Sequence, residues 1–214
     1  MPVIHLVRHA QASFGAADYD ALSPVGPDQA AVVGRALAAR KPREPLITAG
    51  TLVRQRETAL GLAGTAGFAG PVDTDARWNE YDFLHLVAEA AEVGQARSNA
   101  DFQGLLDVAL RAWIEEDAPD GWRAFADGAL AAVTALAERL GRGRDGIAVT
   151  SGGVIAAICG ALLDAPPAGV VALNRVMVNA SITTLLVGSS GLTLLTVNDH
   201  AHFTGDGRAL LTYR

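Results

Sequence analysis

The sequence predicts an α/β fold, a mostly parallel central sheet flanked by helices, and three observations carry that expectation. Val3-Ile4-His5-Leu6-Val7 is a short apolar run that ends abruptly in Arg8-His9, as a buried central strand of a parallel sheet ends. Two similar runs, Leu46–Ala49 and Ile147–Thr150, are each followed by a helical pattern, the alternation from which right-handed βαβ units are built. The chain has 214 residues, half of them apolar, enough for one well-buried α/β unit and too few for two. The expectation is therefore a single domain over residues 1–214.

Taken in order, the first strand leads into a polar loop, Ala12 to Leu22. Ser23-Pro24 reads as an N-cap followed by proline at the first helical position, opening a helix that runs to about Arg40. Lys41-Pro42 stops it. After the second strand a helix is expected over Val53 to Ala66, then an edge strand near Pro71 to Thr74. Trp78 to Asp101 has no clean period and reads as an excursion with a short helix. Amphipathic helices follow near Phe102 to Glu116 and Gly121 to Leu140. The third strand, Ile147 to Thr150, leads through Ser151-Gly152-Gly153 into a helix ending before Pro166-Pro167. Ser181 to Val187 and Leu192 to Val197 form an antiparallel hairpin across Gly188-Ser189-Ser190-Gly191.

Composition excludes several classes. A formal charge of −6 lacks the basic surface that neutralises nucleic-acid phosphates, so no nucleic-acid partner is expected. All but one of the 17 basic residues are arginines, the exception being Lys41. Arginine can clamp an anion with two parallel hydrogen bonds. The single cysteine, Cys159, provides neither a disulfide nor a multi-cysteine metal site and reads as core packing. Apolar runs are broken before membrane-spanning length and no charged leader precedes residue 3, so a cytoplasmic protein without a membrane partner is expected.

Three strand ends carry polar residues that can converge, since ligands of open α/β sheets sit beyond the carboxyl ends of the strands. The first delivers Arg8 and His9, the second Arg54 at a helix start, and the third Ser151 and Gly152 at another. Free N–H groups at a helix start suit a phosphate. Two arginines, a histidine and a glycine-rich helix start make a phosphoryl pocket that needs no metal. His200-Ala201-His202 lacks the acid and histidine partners of a metal site, so none is assigned.

These residues resemble the histidine phosphatase superfamily, whose best-known branch is the cofactor-dependent phosphoglycerate mutases. Leu6-Val7-Arg8-His9-Ala10-Gln11 is similar to its Arg-His-Gly signature. Leu22 to Gly26 followed by Gln29-Ala30, Leu52 to Ala59 around Arg54, Trp78-Asn79-Glu80, and Val149 to Ile155 are similar to its later blocks, in the family's order. The resemblance implies a phosphoglycerate mutase-like fold in which a small helical cap, residues about 78–125, covers the strand ends. It implies His9 as the nucleophile that becomes a phosphohistidine, Arg8 and Arg54 as phosphate ligands, and Glu80 as the proton donor, with Asp82 or Asp75 as substitutes. Ala10 stands where the family has glycine. Ser151 stands where a second pocket histidine is expected, and His202, then His200, is the candidate to fill that gap.

The implied activity is metal-independent hydrolysis of a small phosphorylated substrate by a histidine acid-phosphatase-like enzyme, with no cofactor. A phosphoglycerate mutase-type phosphotransferase ranks below it, because Ala12 to Leu22 lacks a Trp-Asn pair and basic residues for a substrate carboxylate. A degenerate member that binds a phosphorylated ligand with little turnover is kept in view by Ser151. Trp113, Phe102 and Phe83 with few cations in the cap point to a modestly apolar leaving group. A homodimer is left open.

Overall fold

The structure, a computed structural model, describes residues 1–13, 19–91, 99–116 and 118–213. Part of the expected Ala12–Leu22 loop and of the Trp78–Asp101 excursion, and the Phe102 side chain, lie outside the described residues. Among the described residues, six strands form one mixed sheet: β1 (Val3–Arg8), β2 (Leu46–Ala49), β3 (Val72–Thr74), β4 (Gly146–Thr150), β5 (Ile182–Gly188) and β6 (Gly191–Asp199). Their order is β3-β2-β4-β1-β5-β6. The first four pair in parallel, and β5 joins β1 antiparallel with β6 at its far side. The parallel core and the antiparallel edge hairpin are those the sequence predicts.

Strand β1 sits near the middle, and alternation along it feeds two layers. Ile4 and Leu6 point to one face, where α5 (Trp122–Leu140) and α6 (Gly152–Leu162) pack with Val133, Leu136, Ile155 and Ile158. Val7 points to the other, against α1 (Gly26–Ala39) and α2 (Val53–Ala66) through Val33, Leu37 and Leu62. Each such fully buried aliphatic side chain contributes about 1.5–3 kcal/mol, so the strand that carries Arg8 and His9 is anchored from both sides. A third cluster joins α3 (Phe83–Ala91), α4 (Asn99–Glu116) and α7 (Pro167–Val176) through Tyr81, Val87, Leu106, Leu110 and Val171.

One local expectation is corrected and one helix is added. Helix α1 begins at Gly26 rather than at Ser23-Pro24, with Pro27 in its first turn, because the Ser23 hydroxyl donates to Gln11 Oε1 at 2.9 Å instead of capping the helix. Helix α6 ends at Leu162, ahead of Pro166-Pro167 as expected, but Pro167 then opens α7, a helix the sequence reading does not include. Proline lacks an N–H that the first helical turn does not need. Among the described residues, no helix is long and apolar enough to cross a membrane.

Candidate active site

A cleft opens at the carboxyl ends of the parallel strands. Arg8, His9, Arg54, Glu80 and Gly152 line its floor, and Tyr19, Phe83, Leu106, Arg175 and Tyr213 are among its walls. Backbone bonds hold the floor. His9 N–H donates to the Thr150 carbonyl at 2.8 Å and Arg8 N–H to the Ser181 carbonyl at 3.1 Å. Ala10 N–H donates to Thr58 Oγ1 at 3.0 Å, and that hydroxyl donates to the Arg54 carbonyl at 2.7 Å. The histidine-bearing loop and the arginine-bearing helix are thus tied together through Thr58, at the residue after His9 on one side and at the carbonyl of Arg54 itself on the other. Ala10 in place of glycine is tolerated, because it is not among the described non-glycine residues with positive φ.

The imidazole of His9 is buried, and its two nitrogens face opposite chemistry. Nδ1 lies 2.7 Å from the Ala10 carbonyl, which can only accept. Nε2 lies 3.3 Å from Nε of Arg54, which can only donate. The proton is therefore on Nδ1 and the Nε2 lone pair faces the guanidinium. Burial, then the charges of Arg8 and Arg54, hold the imidazole pKa well below its usual value, against the opposing pull of the Ala10 carbonyl. A neutral His9 follows.

Arg54 is placed by a residue that sequence reasoning missed. Asp20 accepts from Arg54 Nη1 at 2.6 Å and from the Val53 N–H at 2.7 Å, so one carboxylate both caps α2 and orients the guanidinium. The Tyr19 ring lies 5.2 Å below the Arg54 guanidinium carbon. Glu57 stands three residues on in the same helix, a spacing at which it could pair with Arg54, but the structure pairs Arg54 with Asp20 instead. Arg8 directs Nη1 at the Met177 and Tyr213 carbonyls.

Glu80 hangs between two segments. Its Oε2 accepts from Gly153 N–H at 3.1 Å and its Oε1 from Tyr81 N–H at 3.3 Å. A Cβ on Gly153 would lie 2.3 Å from Glu80 Oε1, so glycine there is what lets the carboxylate approach the helix start. Burial raises the Glu80 pKa above the ordinary carboxylate value, opposed by the Gly153 N–H and by Arg54 and Arg8. Asp75 caps a short turn and pairs with Arg77, and Asp82 accepts from His85 N–H. Neither Asp75 nor Asp82 lines the cleft.

Two sequence candidates are placed elsewhere. Ser151 is fully buried and does not line the cleft. Its hydroxyl accepts from Gln55 Nε2 at 2.8 Å, and the same amide donates to the Trp78 carbonyl at 2.9 Å. The larger Gln55 reaches across the space beside the small serine. His202 is also outside the cleft lining, with Nε2 3.0 Å from the Ala180 carbonyl and its ring against Phe203. His200 Nδ1 lies 2.6 Å from the Asn198 carbonyl. Neither chain-end imidazole lines the cleft. Asn179 was legible in neither pattern nor motif. It donates to the His9 carbonyl at 3.2 Å and pairs with Thr212 through its backbone N–H and side-chain oxygen. Among the described residues no group of three His, Cys, Asp or Glu side chains is arranged to hold a metal ion.

Comparison with known proteins places this geometry. No curated protein sequence matches the chain. Among solved structures, mycobacterial glucosyl-3-phosphoglycerate phosphatase in complex with inorganic phosphate is 27% identical, with a TM-score of 0.67 over 95% of this chain and 100% of that one. Two others share the fold at 18% identity. A phosphoserine phosphatase mutant from Entamoeba histolytica in complex with phosphoserine has a TM-score of 0.71 over 95% of this chain and 100% of that one. Phosphoglycerate mutase from Bacillus anthracis has 0.68 over 94% of each. A family model described as the histidine phosphatase superfamily (branch 1) matches residues 4–200. The strand-end histidine between two arginines is thus set in a chain that belongs to the histidine phosphatase superfamily, branch 1.

Proposed function

We propose that the chain is a phosphomonoester hydrolase that works through a phosphohistidine at His9 without a metal. The superfamily and its phosphatase relatives support a phosphatase. The observation that carries the finer reading is the His9 tautomer, with Nδ1–H on the Ala10 carbonyl and the Nε2 lone pair turned toward Arg54. In this reading the chain is a single domain, residues 1–214, capped by residues about 78–125.

The steps balance on the residues at hand. Arg8, Arg54 and the Gly152 backbone bind the non-bridging oxygens. Nε2 attacks phosphorus as the ester P–O bond breaks, and Glu80 gives its proton to the departing oxygen. The phosphorylated ring is cationic, and its Nδ1–H bond to Ala10 strengthens as that charge develops. Glu80, now a carboxylate, takes a proton from water as the hydroxide oxygen bonds to phosphorus and the P–N bond breaks. This releases inorganic phosphate and returns neutral His9. The arginines act mainly by position and charge.

Ser151 in place of the superfamily's second pocket histidine is the specific feature favouring slow turnover. Its hydroxyl is taken by Gln55, so the pocket lacks a cationic donor there. The test is turnover of benzyl phosphate and detection, after an alkaline quench, of an acid-labile, base-stable phosphoryl group on His9. His9→Ala should remove both, by on the order of 10³-fold or more in rate, and the wild-type rate should persist in EDTA. A variant that keeps its rate, or a loss in EDTA reversed by a divalent ion, overturns the mechanism.

A further inference from the structure

One wall of the cleft is aromatic, running from beneath Arg54 to Phe83, and the remaining cation of the lining is charge-compensated. Tyr19 and Phe83 meet edge to face at 5.5 Å between ring centroids, with Leu106 buried nearby as a further wall. Among the described residues that line the cleft, Arg175 is the one cation besides Arg8 and Arg54. It is engaged: Asp107 of α4 pairs with the Arg175 guanidinium of α7. The Asp107 carboxylate is only 12% exposed, and Gln103 Nε2 donates to its other oxygen at 2.6 Å.

This arrangement decides what the far end of a substrate can be. A carboxylate reaching for Arg175 would arrive beside the negative charge of Asp107. To take the nitrogen that Asp107 holds, it would have to displace an acid that is already hydrogen-bonded on both oxygens and largely out of water. An uncharged ring meets no such opposition, since Tyr19, Phe83 and Leu106 offer apolar surface and ring edges for stacking. Specificity of this kind comes as much from an opposing charge as from an attractive wall.

We propose that the Asp107–Arg175 pair makes this site selective for phosphate monoesters of uncharged alcohols carrying an aromatic or other apolar group, and against esters whose alcohol part carries a carboxylate. The proposal rests on the phosphatase reading for its phosphate end, so its test uses ligands that need no turnover. Benzylphosphonate should bind the full-length protein five- to tenfold more tightly by calorimetry than 3- or 4-carboxybenzylphosphonate. Asp107→Asn should narrow that ratio to twofold or less by leaving Arg175 uncompensated. A carboxylated phosphonate that binds wild type as tightly as the plain one overturns the inference. A ratio unmoved by Asp107→Asn, in a variant that retains wild-type thermal stability, overturns the role of the pair. Failure of the phosphatase reading shows separately, as absent turnover of benzyl phosphate despite phosphonate binding.

Discussion

The two ends of the parallel sheet treat buried charge in opposite ways. At the amino ends of β1, β2 and β4, Asp145 is 5% exposed and fully partnered. It accepts from Val3 N–H at 2.9 Å, from Arg43 N–H at 2.8 Å, and from the Arg43 guanidinium at 2.7 Å. Burial works against the charged carboxyl, but these donors outweigh it and hold the pKa below the ordinary value. At the carboxyl ends, Arg8 and Arg54 flank a neutral histidine, and Asp20 pairs with only the second of them. Burial lifts the pKa of Glu80 there. The closed end stores stability; the open end keeps positive potential for an anion.

The contrast can be broken first at the open end. Glu80→Gln should lower kcat on alkyl phosphates by about 10²–10⁴-fold and on 4-nitrophenyl phosphate far less, because only a basic leaving oxygen needs protonation. The wild-type pH profile sharpens this. The raised Glu80 pKa keeps the acid form to higher pH, so alkyl ester turnover falls as pH rises through that value. The lowered His9 pKa keeps the imidazole neutral to lower pH, so the acid limb lies below the ordinary histidine range. An equal loss on both substrates would assign the damage to binding.

At the closed end the effect is on stability. Asp145→Ala removes the acceptor for two backbone N–H groups and should cost about 2–3 kcal/mol, read as a lower urea midpoint with the slope retained. Arg43 is partly exposed and can turn to water, which keeps the loss below that of a fully buried pair. Stability contributed by the lowered Asp145 pKa is present above the ordinary carboxylate value and is lost as pH falls through the lowered one. The variant should therefore lose less stability in acid than wild type. Phosphatase rate per folded molecule at 15 °C should stay near wild type, and a rate loss as large as that of Glu80→Gln would end the distinction between the two ends.

Between them lies Asp20, a closed-end device used at the open end. Asp20→Asn keeps an acceptor for the α2 N–H groups but removes the charge that orients Arg54, so kcat/KM should fall by about tenfold with little change in Tm. A fall in Tm with kcat/KM intact would make Asp20 a cap alone. At Ser151 the expected effect is on packing. Ser151→His sets a larger ring against Gln55, whose Nε2 lies 2.8 Å from the serine hydroxyl. That substitution should cost about 1–3 kcal/mol of stability as overpacking. The double variant with Gln55→Ala should recover it and bind phosphate more tightly than Gln55→Ala alone. Recovery without tighter binding would show that the vacated space does not face the phosphate.

The sequence by itself determined the parallel strands, the edge hairpin and the cleft floor, for a local reason. A buried strand must end in polar residues where it leaves the core, and a helix start must offer free N–H groups. Arg8, His9, Arg54 and Gly152 therefore announce themselves within a few residues of the elements that carry them. Helix α2 runs over Val53–Ala66 as its periodicity predicts. Tertiary structure alone decided the pairings across sequence: Asp20 on Arg54 rather than Glu57, Gln55 filling the space beside Ser151, Asp107 on Arg175, and His202 turned to the Ala180 carbonyl. Helix α7 stayed hidden behind Pro166-Pro167, because the same proline that cannot continue a helix is well suited to begin one. Local pattern reports the backbone's own preferences and the burial of one face. Which charges meet depends on chain segments tens to more than a hundred residues apart, and only packing brings those together.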